Sequence, residues 1–228
     1  MSISVIIPTL NEEGCLKKTL EAIGHDVEII VVDGGSSDFT REIAGGFTDK
    51  VIFSERGRGA QMDRGAREAS GDILLFLHAD TSLPENWRGC IENVLLGTDF
   101  KSVPTLVVGG GFSLRIDSKG FSFRLIEAVA NIRAKYLGLI YGDQAIFVRR
   151  DAFFSSGGFM GIPLMEDVDF IRRIRKKGKV LLLNADVSTS SRQWQKKGIL
   201  KTTIGNLFFL SLYYAGVSPQ RLYRLYYA

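Results

Sequence analysis

The chain has 228 residues, 45% hydrophobic and 24% charged, the balance of a folded globular protein and not of a disordered or fibrous one. A formal net charge of +4 is too small an excess to argue for nucleic acid as a partner. Cys15 and Cys90 stand alone and far apart, which excludes a disulfide scaffold and reads as two reduced cytosolic thiols. No repeat or low-complexity segment is present. The opening "MSISVIIPTL" has no basic residues ahead of its apolar run and no cleavage pattern, so no signal peptide is expected and a cytoplasmic location is.

In chain order, "ISVIIP" is a short β-rich run stopped by Pro8. Asn11 is placed to cap the next helix, with Glu12 and Glu13 in its first turn and Leu16, Leu20 and Ile23 on one face. "VEIIVVD" is a second apolar strand, and "GGSSD" turns the chain into a helix capped by Ser37 or Asp38. "KVIFSE" is a third strand, "GAQMDRGAREAS" a helix ending before Gly71, and "DILLFLHAD" a fourth strand. Pro84 opens a helix from about Glu85 to Leu96. Strands apolar on both faces, alternating with helices, predict an α/β fold with a mostly parallel sheet covered on both sides. Ligands of such sheets sit beyond the carboxyl ends of the strands.

The second half is less regular. "TLVVGGGFSLRI" reads as a strand bent by its glycines, "FSFRLIEAVANIRAKYLG" as a helix, and "YGDQAIFVRR" as a strand followed by a short helix and the turn "SSGGF". "MEDVDFIRRIRKKG" is a helix with acids at its start and cations at its end. "KVLLLNADVSTSS" gives one or two strands. Helix is expected from Lys197 to Gly216 and again after Pro219. The longest uncharged stretch, Thr202 to Gln220, is interrupted by Asn206, Ser211 and Pro219. Its strongly apolar part is about half of the ~20 residues a membrane span needs.

Four stretches carry chemistry. In "VVDGGSSD", Gly34 and Gly35 let backbone approach a ligand, and Asp33 can accept the N–H of a nucleobase; Asp33 and Asp38 can equally serve the turn and the cap. In "HADTSLP", Asp80 ends a strand where a carboxylate can hold a hard divalent cation that bridges phosphate oxygens. His78, two residues earlier, is expected on the same face, as a ligand, as support for one, or simply as a buried histidine. "MED" offers Glu166 and Asp167, which either compensate a helix dipole or supply a general base. In "ERGRGAQMDRGA", Arg56 and Arg58 flank glycine in a loop able to grip a diphosphate or merely to face solvent. Gln61, Asp63 and Arg64 fit an exposed helix face equally well. With only His25 and His78 in the chain, no Ser-His-Asp set can be assembled. Zinc-spaced clusters, a Walker sequence and a dinucleotide glycine fingerprint are also absent.

Taken together, these stretches resemble the family 2 glycosyltransferases, whose nucleotide-sugar-binding domain is the GT-A fold. "SVIIPTLNE", "IIVVDGGSSDFT", "RGAQMDRGAREASGDILLFLHADTSLP", "YGDQAIFVRRDAFFSSGGF" and "MEDVDFIRRIRKKGKV" resemble that family's successive segments over roughly residues 3 to 183. "RGRGAQM", "HAD", "GDQ" and "YYAGVSPQRLYRLY" look most like a small bacterial subgroup associated with arsenosugar biosynthesis or with radical-SAM and selenoprotein genes. The resemblance implies a Rossmann-like GT-A domain over 1–195 and a C-terminal helical extension over 196–228. It implies a nucleoside pocket of Pro8, Thr9, Asn11 and Glu12, with Asp33, beside Gly34 and Gly35, on a uracil base. Arg58, Gln61 and Asp63 would lie near the diphosphate. Asp80, with His78, would hold Mg²⁺ or Mn²⁺; Asp167 would be the catalytic base beside Glu166; Asp143 and Gln144 would face sugar or acceptor. Arg192 and Trp194 resemble part of an acceptor-side Arg-x-Trp. His78 departs from the family pattern, which carries an acid there, so the cation is expected to arrive with the nucleotide.

The implied reaction is inverting transfer from a nucleoside-diphosphate sugar, UDP-linked, to an acceptor hydroxyl. A sugar-nucleotide nucleotidyltransferase is the alternative enzyme, although "PTLNEEG" lacks the basic loop it would need; a non-catalytic nucleotide-sugar-binding protein is the alternative outside enzymes. For the apolar tail, packing on the core or on a second copy through residues 199–217 is expected, with peripheral contact to anionic lipid as the alternative.

Overall fold

The structure, a computed structural model, describes residues 1–24, 26–96 and 106–227. His25 and Thr105, the latter the first residue of an expected strand, lie outside them. The first half alternates as read: β1 (Ile3–Thr9), α1 (Leu16–Ile23), β2 (Glu28–Asp33), α2 (Thr40–Gly45), β3 (Val51–Phe53), α3 (Arg58–Glu68) and β4 (Ile73–Phe76). β5 (Thr81–Ser82), α4 (Trp87–Leu95), β6 (Val107–Asp117) and α5 (Phe121–Leu137) follow. After a 3₁₀ turn at Gly142–Gln144 come β7 (Ile146–Arg149), α6 (Arg150–Ser155), α7 (Glu166–Ile174) and β8 (Lys179–Ser190). The chain closes with α8 (Arg192–Lys197), α9 (Ile199–Tyr214) and α10 (Pro219–Tyr227).

Among the described residues eight strands form one sheet in the order β3-β2-β1-β4-β7-β6-β8-β5. The β3-β2-β1-β4 half is wholly parallel. β7 enters antiparallel to both β4 and β6, β8 runs parallel to β6, and β5 is antiparallel to β8, so the second half is mixed. Successive residues of the central strands bury on opposite faces. Val5, Ile7, Val31 and Leu75 pack with Leu16 and Leu20 of α1 and with Trp87 and Ile91 of α4. Ile6, Val32, Leu74 and Phe76 pack with Met62 and Ala66 of α3 and with Phe153, Phe159 and Phe170. Apolar residues at consecutive positions are what a sheet covered on both faces requires.

Four local expectations are corrected. Pro8 does not stop β1. It continues the ladder opposite Val32 while the β4 side ends at Ile6–Phe76, so its missing N–H deprives no partner. Asn11 does not cap α1, which begins at Leu16; it lies at φ 56° and accepts the Ser37 N–H instead. β4 ends at Phe76, and "YGDQ" is a 3₁₀ turn, not a strand. In α9 Thr202 alone is buried, while Phe209, Leu210, Leu212 and Tyr213 are partly so.

Candidate active site

The loops after β1 and β2 are welded into one block at the carboxyl end of the parallel half. The Thr9 carbonyl accepts the Gly34 N–H at 2.9 Å and Nε2 of Gln61 at 2.8 Å, and Gln61 also donates to the Val32 carbonyl. Asn11 N–H donates to the Ser36 hydroxyl, and Glu12 N–H to the Thr40 hydroxyl. Asp33 is buried beneath this block. Its carboxylate accepts the N–H groups of Gly35 and Ser36, both at 2.9 Å, the Ser36 hydroxyl at 2.5 Å and a long bond from Thr9. That fills roughly the four acceptor positions of a carboxylate. As folded, Asp33 organises the turn. Gln61 is buried and bridges β1 to β2. Asp63 accepts the Phe159 N–H and steadies the Gly157–Gly158 turn.

Arg58 stands in the first turn of α3 and reaches α7, where its Nε pairs with buried Glu166 at 2.9 Å. Glu166 holds the guanidinium proton more tightly than usual, while burial raises the Glu166 carboxyl against the opposing pull of Arg58. Asp167 is half-buried beside it, with both oxygens anchored: Oδ2 accepts the Gly142 N–H and Oδ1 the Val168 N–H, each at 2.8 Å. His78 packs against Gly142. Burial, then Arg58, pushes its imidazole down to about 3, so it is neutral at ordinary pH.

Asp80 lies on the other side of Arg58, next to Glu12 and Arg192. Burial and then Glu12 raise its carboxyl, while Arg192 and Arg58 counter them. Arg192 donates to Glu12 at 2.6 Å. The Cys15 thiol also donates to Glu12, and burial followed by that bond pushes it up to about 12. Arg58 is thus within electrostatic reach of Asp80, Glu166 and Asp167. The carboxylates at the end of β4 and at the start of α7 share a single cleft. With β4 ending at Phe76, strand alternation does not govern where His78 points, and it faces Gly142 and Asp167.

Beside Asp167, Asp143 has a buried Oδ1 with no hydrogen-bond partner among the described residues, and burial raises its carboxyl. Gln144 is fully buried. Its amide accepts from Arg133 and from the Tyr141 N–H and donates to the Phe112 carbonyl. Arg133 stacks on Tyr141 with its guanidinium carbon 3.6 Å from the ring centre. Trp194 meets Phe123 edge-on, and its buried Nε1 is unpartnered among the described residues. Non-glycine residues at positive φ adjoin the cleft: Asn11, Ala145 and Met165, the last immediately before Glu166. Such strain persists where surrounding structure holds it and concentrates at functional sites.

Sequence reasoning missed Gly142, whose N–H positions Asp167, and the aromatic wall. Tyr141 adjoins Tyr214, Tyr213 donates to Asp169 at 3.2 Å, and Tyr226 and Tyr227 lie near Arg58. The tail's paired tyrosines were the available signal, read only as apolar bulk.

Among the described residues no three His, Cys, Asp or Glu side chains converge to hold a metal unaided. Asp80 nonetheless suits a cation that keeps waters and takes its other ligands from phosphates: it offers one hard oxygen donor with Glu12 nearby.

The fold and the convergent acids define a GT-A-type α/β domain. The sequence pattern of Glycosyl transferase family 2 matches residues 4–155, and the chain belongs to that family. A PGL/p-HBAD biosynthesis glycosyltransferase of Mycobacterium tuberculosis is 41% identical over 219 residues, covering 91% of this chain and 82% of that protein. Glycosyltransferase AglE of Haloferax volcanii is 27% identical over 202 residues, 81% of this chain; the match spans 65% of AglE's own length. Glucosyl-3-phosphoglycerate synthase from Mycobacterium tuberculosis, solved with Mn²⁺, UDP and glucosyl-3-phosphoglycerate, superposes with a TM-score of 0.60. The identity is 19%, covering 90% of this chain and 78% of that one, and the likeness extends to the fold.

Proposed function

We propose that the chain is an inverting glycosyltransferase that moves a sugar from a nucleoside-diphosphate sugar, UDP-linked, to an acceptor hydroxyl with help from Mg²⁺ or Mn²⁺. The observation that carries this reading is the meeting of Asp80 and Asp167 across Arg58, from segments far apart in sequence. The β1–β2 block forms the floor for the nucleoside, with Pro8, Thr9, Asn11, Glu12, Gly34 and Gly35 at the strand ends. Asp33 takes the base by exchanging the Ser36 hydroxyl for a ring N–H, one donor for another. Arg58 faces the diphosphate. Asp80 would hold the divalent cation, which supplies charge neutralisation to the leaving diphosphate. Asp167 takes the proton of the attacking hydroxyl. Asp143, with its unpartnered oxygen, receives a hydroxyl of sugar or acceptor; Arg192, paired with Glu12 near Asp80, and Trp194 serve the acceptor from the Asp80 side. Membership of the arsenosugar-associated subgroup and a cytoplasmic location complete the reading; the first rests on sequence motifs alone.

A panel of UDP-sugars, assayed for UDP release with and without Mn²⁺, tests the proposal. Release from at least one donor, stimulated by metal, is expected. Tight UDP binding with no turnover on any donor, supplied with simple acceptor alcohols, would favour the non-catalytic binder. Calorimetry with UDP tests the base pocket: Asp33→Ala should weaken binding at least about tenfold, and Ser36→Ala should not.

A further inference from the structure

Two exposed apolar stripes remain outside this cleft. Apolar residues surround α9 on all sides, and Thr202 alone is buried; a helix of that kind lacks its covering surface. Leu200, Ile204, Leu207 and Phe208 follow helical spacing and share one side, with Leu200 73% exposed. On α5, Phe121, Leu125, Ile132 and Tyr136 form a second stripe along the whole helix, with Phe121 84% and Tyr136 73% exposed.

α5 and the turn after it approach the C-terminal segment at two points. Phe123, in the first turn of α5, meets Trp194 of α8 at 6.4 Å, just before α9 begins. Tyr141, just past α5, adjoins Tyr214, the last residue of α9.

We propose that the exposed apolar side of α9 docks on the surface of an anionic lipid bilayer. Charge decides between that occupant and a second copy. Residues 193–227 carry Lys196, Lys197, Lys201, Arg221 and Arg224 and no Asp or Glu. The one acid of α5, Glu127, is buried; it pairs with Arg124 at 2.8 Å and accepts the Ile116 N–H. A two-fold contact would set this basic rim against its own image, whereas anionic headgroups neutralise it. The sixteen residues of α9 rise about 24 Å, short of the ~30 Å hydrocarbon core. No described helix is long and apolar enough to cross a membrane. Tyr213, bonded to Asp169, also fixes the end of α9 to α7. The helix lies on the bilayer and does not span it.

Co-sedimentation of the whole chain with vesicles tests the proposal independently of sugar transfer. Vesicles of phosphatidylcholine plus phosphatidylglycerol should pellet the protein at low salt, and phosphatidylcholine alone at least about tenfold less. Leu200→Ser with Phe208→Ser, checked for an unchanged melting temperature, should lose about tenfold or more. Lys196→Gln, Lys197→Gln and Lys201→Gln combined leave the apolar stripe intact and should lose as much. Protein that stays in the supernatant with anionic vesicles, or binds both vesicles equally, overturns it. So does a dimer in sedimentation velocity that the Leu200 and Phe208 changes dissolve, since the face would then belong to a second copy.

Discussion

Asp167 enters the cleft with both oxygens fixed by backbone N–H groups, from Gly142 and from Val168. A base held in this way has little freedom to lose when a hydroxyl arrives, and it keeps lone pairs to receive the proton. Replacing it with Asn removes the base and turns an amide N–H toward a backbone donor. Asp167→Asn should therefore lower turnover by ~10²–10⁴-fold while UDP affinity in calorimetry holds. Turnover equal to the parent would take Asp167 out of the mechanism. Gly142 offers a gentler probe: a Cβ there would sit 2.8 Å from Nε2 of His78 and 3.3 Å from Oδ2 of Asp167. Gly142→Ala should reduce turnover by displacing the same carboxylate, and adding it to Asp167→Asn should cost little more.

At the scale of elements, the parallel half is clipped shut at the end opposite the cleft. Glu28 of β2 accepts from the Ser4 hydroxyl of β1, from Lys50 at 2.5 Å and from the N–H and hydroxyl of Ser70 before β4. Burial alone would raise its carboxyl, but these donors together pull it from 4.5 down to about 2. A carboxyl lowered in the folded state contributes stability above its unfolded value and loses it as pH falls toward the folded one. The window here runs from about pH 4.5 to about 2. Glu28→Gln should lower the melting temperature at pH 7 and flatten the acid loss across that window. A variant that melts like the parent at both pH 7 and pH 3 would show the clip to be inert. These elements were legible because the middle of each parallel strand is apolar at consecutive positions and the helices between them keep an apolar spacing. β7 was harder to place. A four-residue strand has no sequence mark for its direction, and its antiparallel entry is set by tertiary pairing with β4 and β6.

Across the molecule, the acids of the cleft could be read from the sequence because carboxylates at strand and helix ends are conspicuous among apolar runs. Their partners could not. Gln144 and Gln61 were expected near ligand, and both also donate to backbone carbonyls of the sheet; a glutamine beside a loop looks the same in either role. His78 was paired with Asp80 by a strand alternation that had already ended at Phe76. The tail was legible as helix, but its relation to the cleft was not, because Tyr226 and Tyr227 reach Arg58 only through the fold.

The ion pair between Arg58 and Glu166 has a thermodynamic corollary. In the proposed reaction a diphosphate and Glu166 compete for one guanidinium. Whatever share the diphosphate takes, buried Glu166 loses the charge that opposes its protonation, and its carboxyl rises further. Donor binding then draws a proton from solution, so affinity should strengthen as the medium acidifies. Heats of UDP association should also vary with the ionisation enthalpy of the buffer; identical heats in phosphate and in Tris would mean that Arg58 never leaves its partner.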